Sequence, residues 1–177
     1  MARDHDVVLR WRPFLLRPDI PPEGAWLHDI LPADYLAQAE ARLRAALEPT
    51  GLPFVRRDRV PNTMLAHEAA RFAQEHGLGD AFHQAILRAY FGEGGDIGDP
   101  AVLADLGAGV GLDRAQLARA LADRRHRGEV AEDLAAAREI GIRAVPTFVF
   151  DGRLAISGAQ PYQVFLQALE MLSAKGE

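Results

Sequence analysis

The run Val145-Pro146-Thr147-Phe148-Val149-Phe150-Asp151-Gly152-Arg153-Leu154-Ala155-Ile156-Ser157-Gly158 reads as a strand, a turn and a returning strand. Asp151-Gly152 is a two-residue hairpin signal, because both residue types tolerate the positive φ that such a turn demands. Ahead of it, Val130 to Ile140 has helical spacing closed by Gly141. Behind it, Gln160 to Leu172 places Val164, Phe165, Ala168, Leu169 and Leu172 on one stripe, with Pro161 at the start. The C-terminal third is therefore helix, hairpin, helix.

Further toward the N-terminus the period stays helical. Ala33 to Leu47 carries Leu36, Ala39, Leu43 and Leu47. Asn62-Thr63 can cap a helix from Met64 to His76, followed by Gly77, and Gly79 to Phe91 continues with Phe82, Ile86, Leu87 and Tyr90. Asp99-Pro100 is an N-cap with proline at N1, and Asp113 caps another short helix. At the other end of the chain, Asp6 to Leu16 alternates in part, with Val7, Leu9 and Trp11 on one face, and predicts a strand over 6–12. Pro18, Pro21, Pro22 and Gly24 make the connection after it irregular, with Trp26, Leu27 and Ile30 expected to pin it to the body. The order is strand, many helices, hairpin, helix: an α/β chain with a helical insertion, whose first strand is expected to join the hairpin at 146–157.

Composition bounds the chemistry. With 177 residues, 49% hydrophobic and 25% charged, the chain can bury a core of its own, which excludes a disordered or collagen-like protein. A net charge of -5 argues against a large phosphate-binding surface, so no nucleic-acid partner is expected. No window is long and apolar enough for a membrane span, and the N-terminal residues carry no apolar secretory segment, so a cytoplasmic location is expected. Most decisive is the absence of cysteine. These residues can supply no thiolate, disulfide or thiolate-bound zinc.

The C-terminal block Gly141 to Gly152 with Ser157-Gly158-Ala159-Gln160-Pro161 resembles the DsbA family of thioredoxin-fold oxidoreductases, nearest its FrnE-like branch. Trp11-Arg12-Pro13-Phe14, Pro61-Asn62-Thr63 with Ala66-His67, Ala89-Tyr90-Phe91 and Asp96-Ile97-Gly98-Asp99 match that branch in order and spacing. The resemblance implies an incomplete thioredoxin-like fold with a large all-helical insertion. Residues 1–31 and 141–177 would form the thioredoxin-like part and 32–140 the insertion.

The family reaction is thiol–disulfide exchange by a Cys-x-x-Cys helix that follows an opening strand. Here the match begins after that strand and helix, so the resemblance implies that both are missing, either in a short form or in an incomplete gene product. Such a loss would open the sheet between residues 6–12 and Pro146. Another protomer or partner could fill it, the surviving strand could slide onto Pro146 to Phe150, or an upstream segment could supply it.

The resemblance further implies a cis Val145-Pro146 bond, with Val145, Pro146 and Thr147 presenting backbone to a peptide or small thiol, and it brings Asn62 and His67 into the matched block. Read on their own, Pro146 can merely start a strand, Asn62 is equally an N-cap, and a single helical His67 is more often packed than functional. Thr147 and Ser157 have no activating base at a fixed spacing, so no catalytic residue is assigned. His76 and His83 straddle Gly77, and His126 stands within Arg124 to Arg127, read as a solvated helix start. No metal-ligand spacing emerges and no cofactor is expected. Gly92, Gly94, Gly95 and Gly98 follow a helix, not a strand, and read as a turn.

Three functions stay open. The first is a DsbA-like member inactive in exchange. The second is a glutathione-dependent relative of the 2-hydroxychromene-2-carboxylate isomerase or kappa glutathione transferase type. The third is a non-catalytic module in which a homodimer completes the sheet.

Overall fold

The computed structural model describes residues 5 and 7–173. Its elements are β1 (Ala25–Trp26), α1 (Leu27–Ile30), α2 (Ala33–Leu47), β2 (Arg59–Val60), α3 (Met64–Glu75), α4 (Gly79–Leu87), α5 (Pro100–Gly109), α6 (Arg114–Ala122), α7 (Arg127–Glu139), β3 (Thr147–Phe150), β4 (Leu154–Ser157) and α8 (Tyr162–Ser173). A π-helical turn, Arg88–Gly92, extends α4.

The core sits where four short helices turn their three- and four-residue apolar spacing toward one another. Ala66, Ala69, Phe72 and Ala73 of α3 meet Phe82 of α4, Leu103 of α5, and Leu117 and Leu121 of α6. Each helix has a local reason to start or stop. The Asp99 carboxylate accepts the Ala101 N–H with Pro100 at N1, the Asp113 carboxylate accepts the Gln116 N–H, and Gly77 leaves α3 at φ +72°. Gly107 allows α5 and α6 to close together: a Cβ there would lie 2.5 Å from Leu117 Cδ2. Against this block α7 buries Val130 and Leu134.

The C-terminal unit is the hairpin with α8. Phe148 and Phe150 pair with Ile156 and Leu154, and both rings face Phe165 of α8. Asp151 at φ 52° and Gly152 at φ 67° make the turn, closed by the Arg153 N–H on the Phe150 carbonyl at 2.9 Å. The register Phe150↔Leu154 leaves three residues in the loop instead of two, because Arg153 is unpaired in the ladder.

Several expectations are corrected. Asp6 lies outside the described residues, and residues 7–16 form no strand. Among the described residues the sheets are two separate antiparallel pairs, β1-β2 and β3-β4, so the N-terminal segment neither joins the hairpin nor slides onto it. A strand needs a neighbouring ladder for its N–H and C=O groups. In its absence side-chain bonds to the helical block win. The Trp11 ring stacks on His83 with centroids 3.7 Å apart, its Nε1 donates to Asp80 at 2.9 Å, and Arg12 pairs with Asp133 at 2.7 Å.

In the connection that follows, Ile20 is the buried anchor, Leu27 and Ile30 are half-buried and Trp26 is exposed. Helix α7 begins at Arg127, and the cluster before it is not simply solvated. Arg124, at φ 52°, donates to Glu68, a carboxylate only 1% exposed, at 2.6 Å, and His126 is buried.

Candidate functional site

The Val145–Pro146 peptide is cis. The loop that carries it is tied at two points. The Thr147 hydroxyl donates to the Ala144 carbonyl at 2.7 Å, and the Gly158 N–H donates to the Pro146 carbonyl at 2.8 Å. Thr147 thus uses its hydroxyl to close the loop. Val145, 49% exposed, has no backbone hydrogen-bond partner for its N–H or C=O among the described residues.

The Gly158–Pro146 bond also fixes the phase of the ladder. Hydrogen-bonded pairs in an antiparallel ladder alternate with non-bonded ones. Phe148 and Phe150 therefore bond to β4, while the backbone groups of Thr147 and Val149 turn to the opposite edge. Among the described residues no strand occupies that edge. The result is a short row of free donors and acceptors, Val145, Thr147 and Val149, beside a rigid cis-proline.

Asn62 and His67 are each held by local partners. The Asn62 side chain is spent at both ends: Nδ2 donates to the Ile20 carbonyl at 2.6 Å, and Oδ1 accepts the Met64 N–H at 2.9 Å. It fastens the 20–24 loop to the start of α3. Beside it runs a cleft of about 240 Å³ lined by Pro22, Asn62, Met64, Leu65, Gly98, Arg124 and Arg127. Val145, Pro146 and Thr147 do not line it.

His67 lies one turn along α3 against the Phe14 backbone. Burial pushes its pKa down to about 4, opposed by the bond to Phe14 and helped by nearby His83. The ring is neutral at pH 7. Of the five expected residues, the cleft beside α3 takes in Asn62 alone.

A grouping invisible in the sequence is Glu75, His126 and Glu129, drawn from α3 and the start of α7. Only the His126/Glu129 spacing of three could have hinted at it, since Glu75 is remote in the chain. Arg71 donates to Glu129 and holds its carboxyl below the usual carboxylate range.

Residues 1–170 match the DSBA-like thioredoxin domain family. The chain belongs to that family. It is 34% identical over 166 residues to an uncharacterized protein, YwbO, of Bacillus subtilis (strain 168), spanning 93% of this chain and 82% of that one. Among solved structures it is similar to a probable DsbA oxidoreductase from Streptomyces coelicolor, 32% identical with a TM-score of 0.77, over 92% of this chain and 73% of the other. A 2-hydroxychromene-2-carboxylate isomerase, 18% identical, shares the fold with a TM-score of 0.76 over 99% of this chain and 86% of its own.

As a family member the chain has the DsbA-like fold with its helical insertion. Its 177 residues contain no cysteine, so they cannot themselves perform the family's dithiol–disulfide exchange.

Proposed function

We propose that this DsbA-like chain binds an extended peptide or a small thiol along the cis-proline loop and the open edge of β3, without exchanging thiols through residues of its own. The observation that carries the reading is the unpaired backbone of Val145 next to the outward-facing groups of Thr147 and Val149. An extended ligand that adds a strand there gains main-chain hydrogen bonds, and the exposed Val145 and Val149 side chains supply apolar contact. Asn62 and His67 take structural parts in this reading. The Trp11 to Phe14, Pro61 to Thr63 and Asp96 to Asp99 blocks support membership of the FrnE-like branch, and a cytoplasmic location is proposed with it.

The test is an amide-shift titration of the isotope-labelled chain with an extended model peptide and, separately, with glutathione. Shifts centred on 145–149 are expected. Val149 stands opposite Ala155 at a non-bonded position, so Val149→Pro removes an outward donor while sparing the β3-β4 ladder, and is expected to abolish binding. Shifts elsewhere only, or parent-like binding by Val149→Pro, overturn the proposal. Response to glutathione alone favours the isomerase-like reading of the site. Doubling of the mass in solution without ligand, with the same amides broadened, shows a second copy on the edge instead.

A further inference from the structure

Helices α3 and α7 are joined by more ionic groups than a packed helix pair requires. Arg124 reaches Glu68, Arg71 reaches Glu129, and between them sits His126, the N-cap of α7, only 1% exposed. Its Nδ1 lies 3.3 Å from Glu129 Oε1, at the outer limit of a hydrogen bond. Its Nε2 faces Glu75 Oε2 at 3.6 Å, beyond that limit, and has no hydrogen-bond partner among the described residues. A buried ring nitrogen left without a partner loses its hydration with nothing in return, so an orphan pointed at a carboxylate calls for an occupant.

We propose that Glu75, His126 and Glu129 form a site for a divalent transition-metal cation of the zinc class, clipping the end of α3 to the start of α7. Each residue can offer one ligand atom, and these atoms lie within 4.8 Å of one another. Metal–ligand bonds of about 2.0–2.2 Å bring tetrahedral ligand atoms to roughly 3.5 Å, so a cation on Nε2 requires the Glu129 carboxylate, which here faces Nδ1, to swing round the edge of the ring toward Glu75. The two carboxylates can make that movement: their side chains are 34% and 41% exposed, whereas the imidazole is fixed by burial and by the edge of Phe72. One nitrogen and two oxygens suit zinc, nickel or cobalt better than calcium or magnesium, because imidazole is the softer donor.

The flanking arginines fit this assignment. Arg71 donates to Glu129 Oε2 and leaves Oε1 turned to the imidazole, the role of an outer partner that orients a ligating carboxylate. Arg125 stands 3.5 Å from Glu75 Oε2 with its own side chain 60% exposed, and can swing into solvent when a cation arrives.

A metal titration tests the site. The full chain, stripped with chelator, is titrated with cobalt(II) as a visible-absorption probe and with zinc(II) in competition. One saturable cation per chain is expected, with d–d absorption and a higher Tm. Glu75→Gln and Glu129→Gln are each expected to weaken binding by more than about tenfold, on the scale by which even outer-shell partners act. Because Glu75 lies near the surface, its variant tests the site without challenging the core. His126→Asn should abolish binding if circular dichroism shows it folded. No saturable binding, or parent-like binding by both glutamate variants, overturns the site.

Discussion

His67 is a histidine that the fold keeps neutral. Its folded pKa of about 4 lies below the ordinary 6.5, so above 6.5 neither state is charged there and its contribution is intact. As pH falls from 6.5 to about 4, the unfolded chain takes up a proton that the folded chain resists, and stability drops. His83, also lowered by burial, adds to the slope. Asp113, lowered by the Gln116 N–H, and Glu129, lowered by Arg71, lose their contributions only as pH falls further, through their own folded values. Urea unfolding followed between pH 7 and 4.5 should therefore show falling stability, and His67→Gln should flatten the decline; an unchanged slope would place the effect elsewhere.

The Glu68–Arg124 pair sets a second expectation. Arg124→Ala strands a buried carboxylate and should cost about 3 kcal/mol, at the low end for a buried pair because Arg124 itself is part-exposed. Arg124→Gly should cost about 1 kcal/mol less than the alanine, since glycine accepts φ 52° without the Cβ clash of the left-handed region. Equal losses in the two unfolding curves would show that backbone conformation contributes nothing there.

Among the elements, the helices with local signals were the readable ones. Asp99-Pro100 and Asp113 mark the starts of α5 and α6, and Asn62 anchors α3, because a cap is a bond between residues two or three apart. Asn62→Ala loses both the bond to the Met64 N–H ahead of α3 and the Ile20 tether and is expected to destabilise by about 1–2 kcal/mol. Glycine 107 was not legible as a packing residue, since the Leu117 methyl that crowds it belongs to the next helix. Gly107→Ala should lower stability by about 1–3 kcal/mol through overpacking, read as a shift of the urea midpoint with an unchanged slope. The strand expected over 6–12 failed for the opposite reason. Its alternation is present, but a strand is completed only by a neighbour, and here Trp11 found His83 and Asp80 instead.

For the whole molecule, the helical block and the hairpin unit carry different parts of the chemistry: the block buries the core and carries the Glu75–His126–Glu129 group, of which only His126 is buried, while the hairpin presents the edge that no described strand covers. With no cysteine in its 177 residues, the purified chain should show no turnover of a disulfide substrate above the dithiothreitol background. Turnover beyond that background would mean that exchange proceeds without a protein thiol.

The sequence by itself determined that these 177 residues supply no thiol, the helical spacing of the middle, the Asp151-Gly152 turn and the motif blocks that mark a DsbA-like chain. All of these are properties of composition or of residues close together along the chain. Only the tertiary structure decided that the N-terminal segment lies on helices instead of in a sheet, that Asn62 is spent at both ends, that no described strand covers the outer edge of β3, and that Glu75 meets His126. Each depends on which surfaces distant in sequence come to share a volume from which water is excluded, and no local pattern encodes that.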